Sequence, residues 1–139
     1  MGNCIICKRK LNKVEQDIVN YIMTNKDSDY STILMQDERI EVFCGLGPMR
    51  QALFQWLEFD EDAELLEVGG HFGELTGFLC SKCKAVVSVE NNKKMAESIY
   101  HRWQHKENLD VYMDEKEILK TGRKFDYIIV GSGLAGLYA

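Results

Sequence analysis

Leu65-Leu-Glu-Val-Gly-Gly-His-Phe-Gly-Glu-Leu-Thr-Gly77 decides the fold: an apolar stretch carries an acidic residue, and a glycine-rich turn then opens a helix. Leu65, Leu66 and Val68 supply the continuous apolar character of a strand buried on both faces. Gly69, Gly70 and Gly73 free the backbone for a tight turn, and a helix is predicted from about Glu74 to Cys83 with Leu75, Phe78 and Leu79 toward a sheet. Such a turn lets a ligand approach the backbone N–H groups of a helix start, the physics shared by nucleotide-binding α/β folds. A second strand, Ala85-Val-Val-Ser-Val-Glu90, places Glu90 23 residues after Glu67. Two neighbouring parallel strands then each present a carboxylate near their C-terminal ends, where open α/β sheets bind ligands.

The two carboxylates narrow the ligand. Both oxygens of Glu90 are acceptors only, which suits the two hydroxyls of a ribose. Glu67, just before the turn, repels a pyrophosphate and attracts a cofactor that carries a sulfonium and an ammonium but no phosphate. That favours S-adenosylmethionine over a dinucleotide.

Leu66-Glu-Val-Gly-Gly-His-Phe-Gly73 together with Val87-Ser-Val-Glu90 resembles the first two motifs of class I S-adenosylmethionine-dependent methyltransferases. The resemblance runs from about Gly47 to about Gly131. Asn108-Leu-Asp-Val-Tyr-Met-Asp-Glu115 is similar to the family's third strand and acidic loop, and Phe125-Asp-Tyr-Ile-Ile-Val130 to its fourth strand. Gly47-Pro-Met-Arg-Gln-Ala-Leu-Phe-Gln-Trp-Leu57 resembles bacterial members associated with glycan assembly. One departure stands out: where the family often reads Glu-x-Gly-x-Gly-x-Gly, His71 replaces the middle glycine and Gly70 is an extra one.

The resemblance implies an α/β, Rossmann-like parallel sheet of order 3-2-1-4, truncated, with helices on both faces and an N-terminal helical extension. It implies a helical or cap region over 1–58 and a cofactor-binding domain over 59–139, incomplete at its C-terminus. Glu67, Gly69, Gly70, His71 and Gly73 are then expected at the methionine end of S-adenosylmethionine. Glu90 takes the ribose with Asn91 beside it, Asp114 or Glu115 takes the adenine amino group, and Gly131 borders cofactor and substrate. Methyl transfer by in-line attack rests on proximity and alignment. No residue is assigned as general base, because the Asn/Asp-Pro-Pro-Tyr signature of amino-directed members is absent after Val130. The implied acceptor is a small molecule or glycan precursor.

Composition sets outer bounds. The 139 residues hold one core, and 45% hydrophobic with 28% charged residues is ordinary for a globular protein. A formal charge of -5 argues against a nucleic-acid partner, which needs clustered Lys and Arg, and Lys8-Arg-Lys-Leu-Asn-Lys13 is too short to reverse this. No stretch approaches a membrane span and no signal-peptide pattern opens the chain, so a cytoplasmic location without a membrane partner is expected. Five cysteines without a compact secreted pattern suit reduced thiols.

Cys4-Ile-Ile-Cys7 and Cys80-Ser-Lys-Cys83 together write a four-thiolate zinc site. Apolar Ile5 and Ile6 and the helical placement of Cys80 favour core packing instead. Leu11 to Thr24 reads as an amphipathic helix striped by Leu11, Val14, Ile18 and Ile22. Asn25 to Tyr30 is a polar break, Ser31 to Glu38 is ambiguous, and Ile40-Glu-Val-Phe-Cys44 reads as a short strand. Pro48 opens a helix whose apolar face is Met49, Leu53, Trp56 and Leu57. This half is either a lid over the cofactor or a helical layer on the sheet.

After Glu90 a helix from Asn91 to about His105 repeats Met95, Ile99 and Trp103. His101 and His105 stand at metal-ligand spacing, but no carboxylate motif accompanies them, which favours exposed histidines. Leu109 to Met113 reads as an edge strand, and Asp114 serves equally as the cap of a helix from Lys116 to Lys120. The chain closes on Gly131-Ser-Gly-Leu-Ala-Gly136, a dinucleotide fingerprint similar to the start of flavin-binding oxidoreductases. That fingerprint needs a long helix and an acidic strand end beyond it, and only three residues follow Gly136, so a flavin or nicotinamide domain ranks below the methyltransferase. A non-catalytic or degenerate module, supported by His71, is the other alternative.

As an edge strand, Phe125 to Val130 carries Tyr127, Ile128, Ile129 and Val130 with no proline or lysine inside it. The sequence is therefore expected to be a fragment, inactive alone, that pairs with a second copy or an attached domain through this edge.

Overall fold

The computed structural model describes residues 9–25 and 27–131. In chain order the elements are α1 (Lys13–Thr24), α2 (Ser31–Gln36), α3 (Ile40–Leu46), α4 (Met49–Phe54), β1 (Glu64–Val68), α5 (Thr76–Lys82), β2 (Ala85–Val89), α6 (Lys93–Arg102), β3 (Leu109–Tyr112), α7 (Glu115–Thr121) and β4 (Tyr127–Val130). The four strands form one parallel sheet of order β3-β2-β1-β4, as the sequence implies. Parallel strands require crossovers, and α5, α6 and α7 supply them.

Register sets what faces what. Leu65 lies between Val86 and Tyr127, and Glu67 between Ser88 and Ile129. On one face Leu65, Val86, Leu75, Leu79, Cys80 and Cys83 form a core with Phe54 and Ile129 against it. On the other, Val87 and Val89 meet Ile118 of α7, with Leu66 and Phe125 alongside. Cys80 and Cys83 are buried free thiols, and burial, reinforced by the Glu67 charge, pushes the Cys80 thiol up to about 12. Cys4 and Cys7 lie outside the described residues, and among the described residues no group of three His, Cys, Asp or Glu can hold a metal. His101 meets the Asn25 carbonyl and the His105 ring packs near Trp103.

Of the helices before the sheet, α1 packs against α6, with α3 on α1 and α2 on α3. Asn12 caps α1 in a reciprocal box: its Oδ1 accepts from Glu15 N–H at 2.9 Å, and its own N–H donates to Glu15 Oε2 at 2.9 Å. Ile18, Val19 and Ile22 of α1 then join Val42, Leu46, Phe72 and Met95 in a second core. Each such side chain contributes about 1.5–3 kcal/mol when fully buried.

Two local expectations are corrected here. Ile40 to Cys44 is not a strand but the start of α3, because a short apolar run carries no decisive period and packing decides. Gly45 lets α3 close on its neighbours: a Cβ there would lie 3.3 Å from Ile18 Cδ1 and 3.4 Å from Phe72 Cδ2. The apolar face expected of α4 is also rotated. Trp56 is 75% exposed and Leu53 49%, while Arg50 and Phe54, one turn apart, point inward.

Among the described residues no helix is long and apolar enough to cross a membrane. Ile128 and Val130 on the β4 edge are exposed.

Candidate functional site

The turn after β1 alternates left-handed positions: φ is 78° at Gly69, 57° at His71 and 76° at Gly73. Gly69 and Gly73 adopt this region freely, whereas a histidine there costs about 1–2 kcal/mol. His71 thus adopts a backbone conformation that favours glycine. Gly69 and Gly70 N–H donate to the Val89 carbonyl at 2.8 and 3.3 Å, and Gly73 N–H to the Gly70 carbonyl at 2.8 Å.

Gly70 has ordinary φ, and its reason is space. A Cβ on it would lie 2.4 Å from Ser88 Oγ, 2.8 Å from Ile99 Cδ1 and 3.2 Å from Glu67 Oε2. Beneath it, the fully buried Glu67 carboxylate accepts from Thr76 Oγ1 at 2.7 Å and Ser88 Oγ at 2.8 Å. Hydroxyl donors are what a buried carboxylate needs to offset lost hydration. Glu67 therefore lies under the turn rather than on its open side.

Glu90, at the end of β2, faces the turn. Its Oε2 accepts from His71 N–H at 2.8 Å and its Oε1 from Asn92 N–H at 3.2 Å. A carboxylate has about four lone-pair sites, so about two remain for hydroxyl donors. Asn91 is half-buried beside it, and Asn92 caps α6. Gly131, with φ 69°, donates its N–H to the Val68 carbonyl at 2.9 Å. Its Cα is 3.9 Å from where a Cβ of Gly69 would sit, so two glycines flank one position at the ends of β1 and β4. Asp114 caps α7 by accepting from Lys116 N–H at 2.9 Å, and Glu115 is the exposed first residue of that helix, both beyond β3. The structure brings Gly69, Gly70, His71, Glu90 and Gly131 to one end of the sheet, with Asp114 and Glu115 two strands from β1. Ser132 to Gly136 of the fingerprint lie outside the described residues.

Three side chains that hold this turn carry no motif. Trp103 Nε1 donates to the Gly73 carbonyl at 2.7 Å, and its ring lies where a Cβ on Gly77 would be, 2.4 Å away. Arg102, buried, donates from Nη1 to the Gly45 and Phe72 carbonyls at 2.8 and 3.0 Å and from Nη2 to Leu46 O at 3.2 Å. Burial pushes its guanidinium pKa down, yet it ties α3 to the turn. Glu74 is the third: its Oε1 lies 2.8 Å from His71 Nδ1 and its Oε2 accepts from Phe72 N–H at 3.0 Å. The i,i+3 spacing of His71 and Glu74 at a helix start was the available signal.

Between α1, α3 and the turn is a cavity of about 350 Å³ lined by Val14, Ile18, Cys44 and Phe72, with Glu15, Glu41 and His71 among its polar groups. Burial raises the Glu15 pKa, but Arg9 at 2.7 Å and Asn12 N–H outweigh it and hold the carboxyl below its usual range.

No protein-family model matches the chain, and no curated protein matches it. Solved structures do. A mutant of MtNAS in complex with S-adenosylmethionine superposes with TM-score 0.53 at 19% identity, covering 85% of this chain and 45% of its own. Precorrin 8W decarboxylase from Methanobacterium thermoautotrophicum gives 0.52 at 21%, covering 63% and 50%. A dimethyladenosine transferase from Plasmodium falciparum gives 0.50 at 22%, covering 60% and 31%. The chain thus shares an α/β, Rossmann-like fold with these structures, and it spans half or less of their length.

Proposed function

We propose that this chain is the S-adenosylmethionine-binding domain of a methyltransferase acting on a small molecule or glycan precursor. The observation that carries the reading is the turn with left-handed backbone at residues 69, 71 and 73 set against the Glu90 carboxylate. Gly69, Gly70, His71, Gly73 and Gly131 line the methionine end by backbone, over the buried charge of Glu67. Glu90, with Asn91, receives the ribose, and Asp114 or Glu115 the adenine. A bound S-adenosylmethionine supplies an electrophilic methyl group, and the protein supplies position and charge. The N-terminal region over 1–58 covers that end, and the domain over 59–139 carries the cofactor. The likeness of the fold to a structure in complex with S-adenosylmethionine supports the choice of cofactor.

A cytoplasmic protein without nucleic-acid or membrane partner fits the acidic charge. The exposed Ile128 and Val130 support an attached domain or second copy at the β4 edge. Glu90→Gln tests the ribose role: it keeps one acceptor and loses the negative charge. S-adenosylhomocysteine binding should weaken by at least 1.5 kcal/mol, roughly tenfold or more, the scale of a hydrogen bond to a charged group. Unchanged affinity in a folded variant removes that role.

A further inference from the structure

The structure points to a proton-accepting pair, His71 and Glu74, facing a small-amine site in the cavity between α1, α3 and the turn; we infer that this amine is the methyl acceptor, which rests on the methyltransferase reading above. Glu74 is 2% exposed, and both its oxygens are engaged, one by His71 Nδ1 and one by Phe72 N–H. A carboxylate accepts and does not donate, so Nδ1 carries a ring proton, and whenever the ring is neutral it is Nε2 that holds the lone pair. Among the described residues Nε2 has no hydrogen-bond partner, and the side chain, 28% exposed, lines the cavity.

Backbone strain is a second, independent sign. At φ 57° glycine would sit without cost, yet an imidazole stands there. Its side chain is held on the cavity side while its N–H reaches Glu90. The residue therefore joins the ribose-side carboxylate to the cavity.

The cavity's chemistry selects the ligand. Val14, Ile18, Cys44 and Phe72 give an apolar wall for a small organic group. The charged groups that share the cavity with His71 or bond it are Arg9 ahead of α1, Glu15 in its first turn, Glu41 of α3, Glu74 of the turn and Glu90 after β2. Arg9 is paired with Glu15, which leaves Glu41 as the exposed carboxylate at the mouth. Carboxylates outnumber cations, which suits an ammonium and not an anion. The bound ammonium gives one proton to His71 Nε2, its nitrogen lone pair is freed to bond the methyl carbon of a sulfonium, and the sulfur keeps the electron pair of the bond it loses. The imidazolium so formed stays paired with Glu74.

The test uses the whole chain with ¹⁵N-labelled histidine, without cofactor, titrated with benzylamine. The expected result is a neutral His71 in the Nδ1–H form whose ring signals shift saturably with benzylamine while those of His101 and His105 stay. In Glu41→Gln the binding should weaken about tenfold, the scale of one charge-assisted contact. A neutral Nε2–H form, or no response of His71 to benzylamine, overturns the proposal. S-adenosylhomocysteine binding is measured separately: its absence alongside a normal His71 response removes the acceptor role and the methyltransferase reading while leaving an amine site. Its presence without that response removes only the His71 assignment.

Discussion

Gly70→Ala puts a methyl group into a space that is already taken. The added Cβ lies 2.4 Å from Ser88 Oγ, 2.8 Å from Ile99 Cδ1 and 3.2 Å from Glu67 Oε2, so one side chain must move. Ser88 Oγ is the nearest atom, and turning it away breaks its 2.8 Å bond to a buried carboxylate. Overpacking costs about 1–3 kcal/mol, and a hydrogen bond to a charged group is worth about 1.5–3 kcal/mol. Gly70→Ala should therefore destabilise by about 3–5 kcal/mol, among the larger effects of single substitutions. Ser88→Ala alone should cost about 1.5–3 kcal/mol, because Glu67 keeps Thr76. With Oγ gone, the second methyl meets mainly Ile99, so the double variant should be at least about 1 kcal/mol more stable than the sum of the singles. Urea unfolding of the four proteins, followed by far-ultraviolet circular dichroism, gives the cycle. Additive costs, or a neutral Gly70→Ala, would refute the idea that Gly70 is there to admit the Glu67–Ser88 contact.

Two further outcomes follow from other parts of the fold. Cys80, with its thiol pushed up to about 12 by burial, should resist iodoacetamide at neutral pH and react once urea unfolds the chain, as read by mass spectrometry of the peptide. The Asp37 carboxyl is held well below its usual range by the fork of Arg39, at 2.9 and 2.7 Å. A depressed folded value gives stability that is complete above the unfolded value near 4 and fades as pH falls through the folded one. The difference in urea midpoint between the chain and Arg39→Ala should thus shrink from pH 7 toward pH 2, and a difference that grows in acid would contradict the sign.

The sheet was legible because its signals are local and redundant. β1, β2 and β4 are short apolar runs after breaks, and glycines punctuate the turn, so strand order followed from a known connection pattern. What the sequence hid depends on contacts far along the chain. Ile40 to Cys44 reads as a short strand, yet it is the start of α3, where Gly45 packs close to Ile18 and Phe72. The N-cap pairing of Asn12 with Glu15 was present in the sequence and places the start of α1 two residues after Leu11. Arg102 looks like a surface residue near a helix end and Trp103 like one more apolar position of that helix, yet both hold carbonyls 30 or more positions away. The acidic residue before the turn was visible, but its burial with Thr76 and Ser88 was not, because only the parallel register puts Ser88 beside Glu67.

Equilibrium binding of S-adenosylmethionine, S-adenosylhomocysteine, flavin and nicotinamide dinucleotides to the purified chain, with Glu90→Gln alongside, tests the cofactor reading most directly. The expected result is saturable binding of the two adenosyl ligands, weakened about tenfold or more in Glu90→Gln, with no binding of either dinucleotide. Saturable flavin binding without adenosyl-ligand binding would contradict it.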